Sequence, residues 1–350
     1  GILVQSAFFF TLLIAASLAF CAMLAPFFEP ILWAVTLAII FKPVQKKLSA
    51  ALPNRENLAS LATLLIIVFA VIVPALLLSI SVGREGIALY QSISSGKIDI
   101  SGPLNWAQNT WPSLMERAES LGVNIEEAKQ KLSSSALQSS QWAASHIFTF
   151  GQNTVRFAVM FFLMLYLLFF FLRDGKKIID LIIHILPIGD ERERYLLSKF
   201  AEVSRATIKG TLVVGAIQGT IGGIIFSILG IESAIFWGVV MTLLSILPAI
   251  GSALVWAPAA IYLITSGMLI KGIVLIAVGI FVIGMVDNIL RPILVGRDTK
   301  MPDYLILLST LGGISMIGIS GFVLGPVIAA FFLTIWAMFA KDYNIPSIRK

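Results

Sequence analysis

AIFWGVVMTLLSILPAIGSALVWAPAAIYLI, residues 234 to 264, is apolar almost throughout, yet LPAIGS interrupts it with Pro248 and Gly251. Its first arm, Ala234 to Leu247, has fourteen residues. As helix that is about 21 Å at 1.5 Å per residue, short of a hydrocarbon core of roughly 30 Å. The run therefore reads as a broken or re-entrant hairpin that dips into a bilayer and returns; the alternative is an ordinary span kinked by its proline and glycine. Non-helical backbone survives at that depth only where protein buries it or where it lines a wet cavity.

Composition puts the run in a membrane. The 350 residues are 58% hydrophobic and 13% charged, where a soluble domain carries nearer a quarter. Mean hydropathy is +0.95. Several apolar runs of about twenty residues make the chain a multi-spanning protein whose solvent is the lipid bilayer. Net charge is +6. The basic residues cluster between apolar runs, which fits one-sided membrane loops and not a nucleic-acid partner.

Chemistry is sparse. Cys21 is the only cysteine, and His146 and His184 are the only histidines. Neither an intrachain disulfide nor a metal site is expected, and no cofactor. There is no H-E-x-x-H, Walker A or dinucleotide fingerprint. GISG (318–321) holds a Gly-x-Ser arrangement, but no histidine lies within a span to activate Ser320. An enzyme is not expected, and an ATP-driven pump would need a partner's ATPase.

Apolar runs fall at about 3–24, 31–41, 58–82, 147–172, 207–229, 234–264, 272–290 and 304–339. The chain opens at Gly1 without Met, as a trimmed chain would. LAFC (18–21) approaches a lipobox, but Phe20 occupies the small-residue position, so a retained first span is expected. The segment 83–146 reads as amphipathic helices, with Asn124 and Glu127 forming a capping-box-like start. Between 173 and 206, KKIIDLIIHILP predicts an interfacial helix stopped by Pro187. Asp190 and Glu193 then suit the start of a second helix.

Orientation follows the lysines and arginines. Loop 42–57 holds Lys42, Lys46, Lys47 and Arg55, and segment 173–209 holds eight basic residues, whereas 25–30 and 230–233 hold none. Basic loops inside make 42–57 and 173–206 cytoplasmic and 83–146 external. Arg291, Arg297 and Lys300 obey the rule only if 234–264 returns to its own side. Lys341, Arg349 and Lys350 require the same of 304–339, which LGGISMIGISG interrupts with Gly312, Gly313, Gly318 and Gly321. Each returning arm carries a late proline, Pro258 and Pro326. The order of span, broken hairpin, span, broken hairpin, the second unit inverted, is a sequence pointer to a transport site.

The expected fold is an all-α polytopic membrane protein of about eight membrane segments, including two broken or re-entrant helical hairpins in an inverted repeat. The expected divisions are 1–82 (membrane hairpin and third span), 83–146 (external helices), 147–206 (fourth span and cytoplasmic helices), 207–340 (transport core) and 341–350 (cytoplasmic tail). GMVDNILRPILVG (284–296) ends an otherwise apolar span. Asp287 and Arg291, four apart, can share a helix face and pair. One reading is an interfacial ion pair ending the span. Another makes Asp287 a coupling carboxylate, with Asn288 beside it and Pro292 and Gly296 stopping or kinking the helix. Gln218 lies mid-span and either hydrogen-bonds between helices or lines a polar path. Gly215, Gly219 and Gly223 give a small face for close packing.

VSRATIKGTLVVGAIQGTIGG, SILPAIGSALVWAPAAIYL, VDNILRPILVGRD and LSTLGGISMIGISGFVLGPVIAA, in that order, resemble the autoinducer-2 exporter family of bacterial transporters. The carrying residues are Gly210, Gln218, Pro248, Gly251, Pro292, Gly296, Gly312, Gly313, Gly318, Gly321, Gly325 and Pro326. PFFEPILWAVTLAIIFKPVQKKL resembles that family's opening hairpin. Family members often carry His-Pro where this chain has Met301-Pro302, which removes a histidine-based proton role there. The resemblance implies eight membrane segments and an inner-membrane homo-oligomer, a pentamer; both termini are expected in the cytoplasm, the C-terminal one from its basic residues. It also implies export of autoinducer-2 or exchange of sodium or lithium for protons. The first expectation is proton-driven export of a small polar signal molecule, the second cation–proton antiport and the third a passive oligomeric channel. The expected pathway residues are Gln218, Pro248, Gly251, Asp287, Asn288, Arg291, Gly312 and Gly313. The expected turns or hinges are Pro258, Pro292, Gly296, Gly318, Gly321 and Pro326.

Overall fold

The computed structural model describes residues 1–152, 154–296 and 300–343, and these are helical with no strand among them. The elements are α1 (Ile2–Leu24), α2 (Phe28–Ile40), α3 (Lys42–Ala51), α4 (Glu56–Ile67), α5 (Val73–Ser94), α6 (Gly102–Thr110), α7 (Pro112–Ser120) and α8 (Ile125–Gln152). They continue as α9 (Thr154–Ile185), α10 (Asp190–Ile228), α11 (Ala234–Leu244), α12 (Ala253–Thr265), α13 (Leu269–Val278), α14 (Asp303–Ile317) and α15 (Gly321–Asp342). Among the described residues six helical stretches are long and apolar enough to cross a membrane. The chain is an all-α multi-pass membrane protein. Arg297, Arg349 and Lys350, used above for orientation, lie outside the described residues.

The helices form two compact units. In the first, Gly1–Ala70 with Asn153–Glu193, α2 and α4 pack on α9. Leu32, Ala34, Ala59, Ile67, Leu168 and Leu172 are buried there. A polar clamp fixes α3 to α4: Gln45 donates to Ser60 Oγ at 2.9 Å and accepts from Thr63 Oγ1 at 2.7 Å. The described side chains of α1 are exposed along its length. A loop was expected at 25–30, but a 3-10 helix, Ala25–Phe27, joins α1 to α2 instead. Pro26 lies in its first turn, where a missing N–H is harmless.

Two soluble helices expected between 173 and 206 are not separate. The interfacial stretch continues α9 to Ile185, and Pro187 stops it as its sequence implies. ERERYLLSKF is the start of α10, which runs 39 residues into the fifth span. Asp190 is that helix's first residue, and Glu193 Oε1 reaches back to the Ile188 N–H at 3.0 Å.

The second unit, Val71–Gln152 with Arg194–Lys350, holds both interrupted segments. Here α5 packs on α8 and α11, and α6 on α12. Segment 83–146 thus belongs to the same unit as the second half. Ser233 donates to Glu85 at 2.8 Å, and Asn124 Oδ1 accepts the Glu127 N–H at 3.1 Å to start α8.

The first interruption lies where Pro248 and Gly251 place it. α11 ends at Leu244 and α12 begins at Ala253; Ala249 between them has φ 67°. The second is later than the Gly312-Gly313 pair suggests. Both glycines sit inside α14, and the chain turns at Gly318, φ 82°. α14 and α15 then pack closely, because Gly313 lies against Gly321 and Gly325, and Gly325 against the Ser309 carbonyl. Pro258 and Pro326 are inside α12 and α15 and do not end them. Beyond α13 the helical path widens into π turns at Gly279–Ile283, Val286–Leu290 and Pro292–Gly296. Pro292 therefore does not stop the helix. A π turn hydrogen-bonds five residues apart, which relieves a proline ring's clash with the carbonyl four back. Val68–Ile72, just before Pro74, repeats the device.

Gly312 and Gly313 give a paired test. Gly312 has nothing within 4 Å of a would-be Cβ, whereas one on Gly313 would collide with Gly321. Gly312→Ala is expected to stabilise by about 0.5–1 kcal/mol, and Gly313→Ala to destabilise by about 1–3 kcal/mol. Thermal unfolding of both variants in one detergent checks this.

Candidate functional site

α10 carries the site's scaffold. Its small face, Gly215 and Gly219, meets α11 so closely that a Cβ on either would strike Ser245 or Thr242. This brings Gln218, fully buried, against the π-turned span, where Nε2 donates to the Ile283 carbonyl at 3.0 Å. Of the two roles open for Gln218, interhelical bonding is the one its nitrogen serves. Its Oε1 is buried with no hydrogen-bond partner among the described residues.

One turn beyond Ile283 comes Asp287, and Arg291 follows four residues later, each 8% exposed. Arg291 Nε donates to Asp287 Oδ1 at 2.9 Å. The pair is buried within the protein. Arg291 Nη2 also donates to the Ser245 carbonyl at 2.6 Å. Ser245 is the first residue after α11, where a helix leaves carbonyls without intrahelical donors. The guanidinium caps that negative helix end, and Ser245 Oγ satisfies the Thr242 carbonyl at 2.6 Å. Thus the broken hairpin, the span Leu269–Val295 (the seventh apolar run) and α10 are tied by polar groups in an apolar surround.

Beside the guanidinium lies a cavity of about 10 Å³, roughly the room one water needs. Thr207 and Thr211 of α10, Ile246 and Pro248 of the first break, Arg291 and Val295 of the seventh span, and Ile306, Thr310 and Phe322 of the second hairpin line it. The two hairpins, α10 and the π-turned span therefore meet at one point, and it is nearly closed.

The expected residues divide. Pro248 and Arg291 line the cavity, Asp287 stands behind it paired to Arg291, Gln218 bonds the Ile283 carbonyl outside the cavity's lining, and Gly251 fits beneath the Leu244 carbonyl where a side chain would not. Asn288 does not join them. It is exposed, because the next residue along a helix points about 100° away. Gly312 is also exposed, away from the cavity. Gly313, Gly321 and Pro326 are buried where α14 meets α15, Gly318 makes the turn, and Gly296 ends the last π turn. Pro292 and Pro258 act only within their helices. Met301 is buried with Val203, Val295, Ile306 and Val327. Its role is packing.

Thr207, Thr211, Thr310 and Ser245 were not expected. A signal existed: Ser204, Thr207, Thr211 and Gln218 share one face of α10 at intervals of three, four and seven. Threonine is a weak signal, because in apolar helices it commonly bonds its own carbonyls, as Thr310 does to Ile306 at 2.6 Å.

Removing one member of a buried ion pair strands the other charge, at a cost of about 3–5 kcal/mol. Asp287→Asn and Arg291→Gln are each expected to lose about that much. The double variant should lose clearly less than the two together. A double-mutant cycle of thermal unfolding in detergent measures the coupling.

The profile of the AI-2E family transporters matches residues 8–341, nearly the whole chain. An Aquifex aeolicus protein, named only as a candidate transport protein, is 31% identical over 316 residues, 87% of each chain. The Escherichia coli protein YdiK, named in the same way, is 28% identical over 328 residues, 92% of this chain and 86% of its own. The broken-hairpin fold, the buried polar junction and these relatives agree: the chain belongs to the AI-2E transporter family and is a membrane transporter.

Proposed function

We propose that this transporter exports a small polar signal molecule, such as autoinducer-2, across a bacterial inner membrane, driven by the proton gradient. The observation carrying the reading is the nearly closed cavity between the two hairpin breaks, with hydroxyls and a neutralised guanidinium in its wall. Neutral donors and acceptors suit a polar molecule that needs hydrogen bonds in place of water. Opening the cavity to one face and then the other requires the hairpins to move, which is alternating access by the part spanning about 207–339. The working form is a homo-oligomer with both termini cytoplasmic and 83–146 external.

Cation–proton antiport ranks second for a physical reason. Asp287 already faces a cation, Arg291, at 2.9 Å, so a sodium ion would have to displace a tethered competitor. A passive channel ranks third, because it would move nothing uphill.

Proteoliposomes containing the purified oligomer decide among the three. Labelled autoinducer-2 is expected to accumulate uphill under an imposed pH gradient, to stop when a protonophore is added, and to ignore sodium. A sodium-driven proton flux, read by a trapped pH dye and lost in Asp287→Asn, would overturn export in favour of antiport. Flux that only runs downhill would leave the channel.

A further inference from the structure

We propose that the cavity between the hairpin breaks is a recognition subsite for one hydroxyl of a neutral, hydroxyl-bearing molecule, and that the Asp287–Arg291 pair sets the charge of substrate the site accepts. The inference rests on the export reading and narrows it to a chemical class and to named groups.

Three observations carry it. The Thr207 side chain is 5% exposed, lines the cavity, and its Oγ1 has no hydrogen-bond partner among the described residues. A buried hydroxyl left in that state costs free energy until a polar atom arrives. Thr310 spends its proton on Ile306 and keeps lone pairs for a ligand's O–H. A hydroxyl both donates and accepts, so it can satisfy both threonines where a carboxylate or an ammonium satisfies only one kind of partner. The room available, about 10 Å³, fits one such oxygen. Phe322 and Ile306 supply an apolar wall for the attached carbon.

Charge supplies the second half. Arg291 contributes one positive charge and Asp287 one negative, at 2.9 Å, so the site is neutral overall. A carboxylate or ammonium ligand would add an uncompensated buried charge, which is strongly unfavourable. Neutralising Asp287 leaves the guanidinium positive beside the cavity. The site then matches an anion, which pairs well with a guanidinium. Specificity here is the penalty against wrong charges, not only attraction to the right ligand.

The test uses the full-length oligomer in proteoliposomes and counterflow of three labelled probes: erythritol (neutral), erythronate (anionic) and choline (cationic). Wild-type protein is expected to exchange erythritol at least about tenfold faster than either ion, a difference in line with one unpaired buried polar group. Asp287→Asn is expected to reverse the order in favour of erythronate, and erythronate should raise the unfolding temperature of that variant and not of the wild type. Because Asp287→Asn is destabilised, Thr207→Val provides the second arm. It should slow erythritol about tenfold without changing the charge order, and Thr207→Ser should restore the rate. A wild type that prefers either ion or exchanges none of the probes, a Thr207→Val variant at full rate, or a folded Asp287→Asn that keeps the wild-type order would each overturn the proposal. If erythritol exchange and the charge reversal hold but a pH gradient drives no uphill flux, the subsite stands and proton-driven export falls.

Discussion

A helix that ends among apolar side chains must find donors for its last carbonyls, and at the first break the second unit meets that need with a buried arginine. α11 stops at Leu244, too short to cross, and the Ser245 carbonyl takes its donor from Arg291. A buried guanidinium brings a charge that needs neutralising. Asp287, one turn earlier on the same face, supplies the opposite sign. The break, the ion pair and the position of the seventh span are consequences of one another. Remove the break and Arg291 Nη2 loses its carbonyl acceptor; remove the aspartate and the guanidinium loses its counter-charge.

α10 makes this arrangement rigid enough to be specific. Toward its C-terminal end, Ile225, Phe226 and Leu229 form an apolar cluster with Met241, Val255, Leu263, Leu275 and Ile283. Toward its N-terminal end, Val203 joins Val295, Met301, Ile306, Val327 and Ala330. Between the two clusters lie Thr207, Thr211 and Gln218, the polar stretch facing the hairpins. Each apolar cluster holds one hairpin, so a polar junction with unspent hydrogen-bonding capacity is kept between two dry ones. That division suits a transporter, whose site must be wet in turn from each side and closed between.

Much of this is legible in the residues. A proline and a glycine in LPAIGS, within an arm too short to span, mark the first break, and the four-residue interval marks the Asp287–Arg291 pair. Local rules carry such features. The second partner of Arg291 is a backbone carbonyl 46 residues away, and a backbone acceptor leaves no trace in residue type. For the same reason nothing in the sequence separates Gly312 from Gly313, which differ only in the face they present to α15. Asn288 was expected at the site because it is polar and adjacent, but adjacency along a helix means a different face. Pro292 was expected to stop or kink the span; it does not stop it, and the π turns around it are a response of the neighbouring backbone that no single residue announces.

The capping role of Arg291 is best tested by hydrogen–deuterium exchange across residues 241–252 in the detergent-solubilised oligomer, wild type against Arg291→Gln. Loss of the guanidinium is expected to raise exchange in the last turn of α11 and through the break to Ser252, while the interior of α14 and α15 stays protected. Unchanged exchange at 241–252 in a folded Arg291→Gln protein would contradict the claim that this side chain holds the broken helix in place.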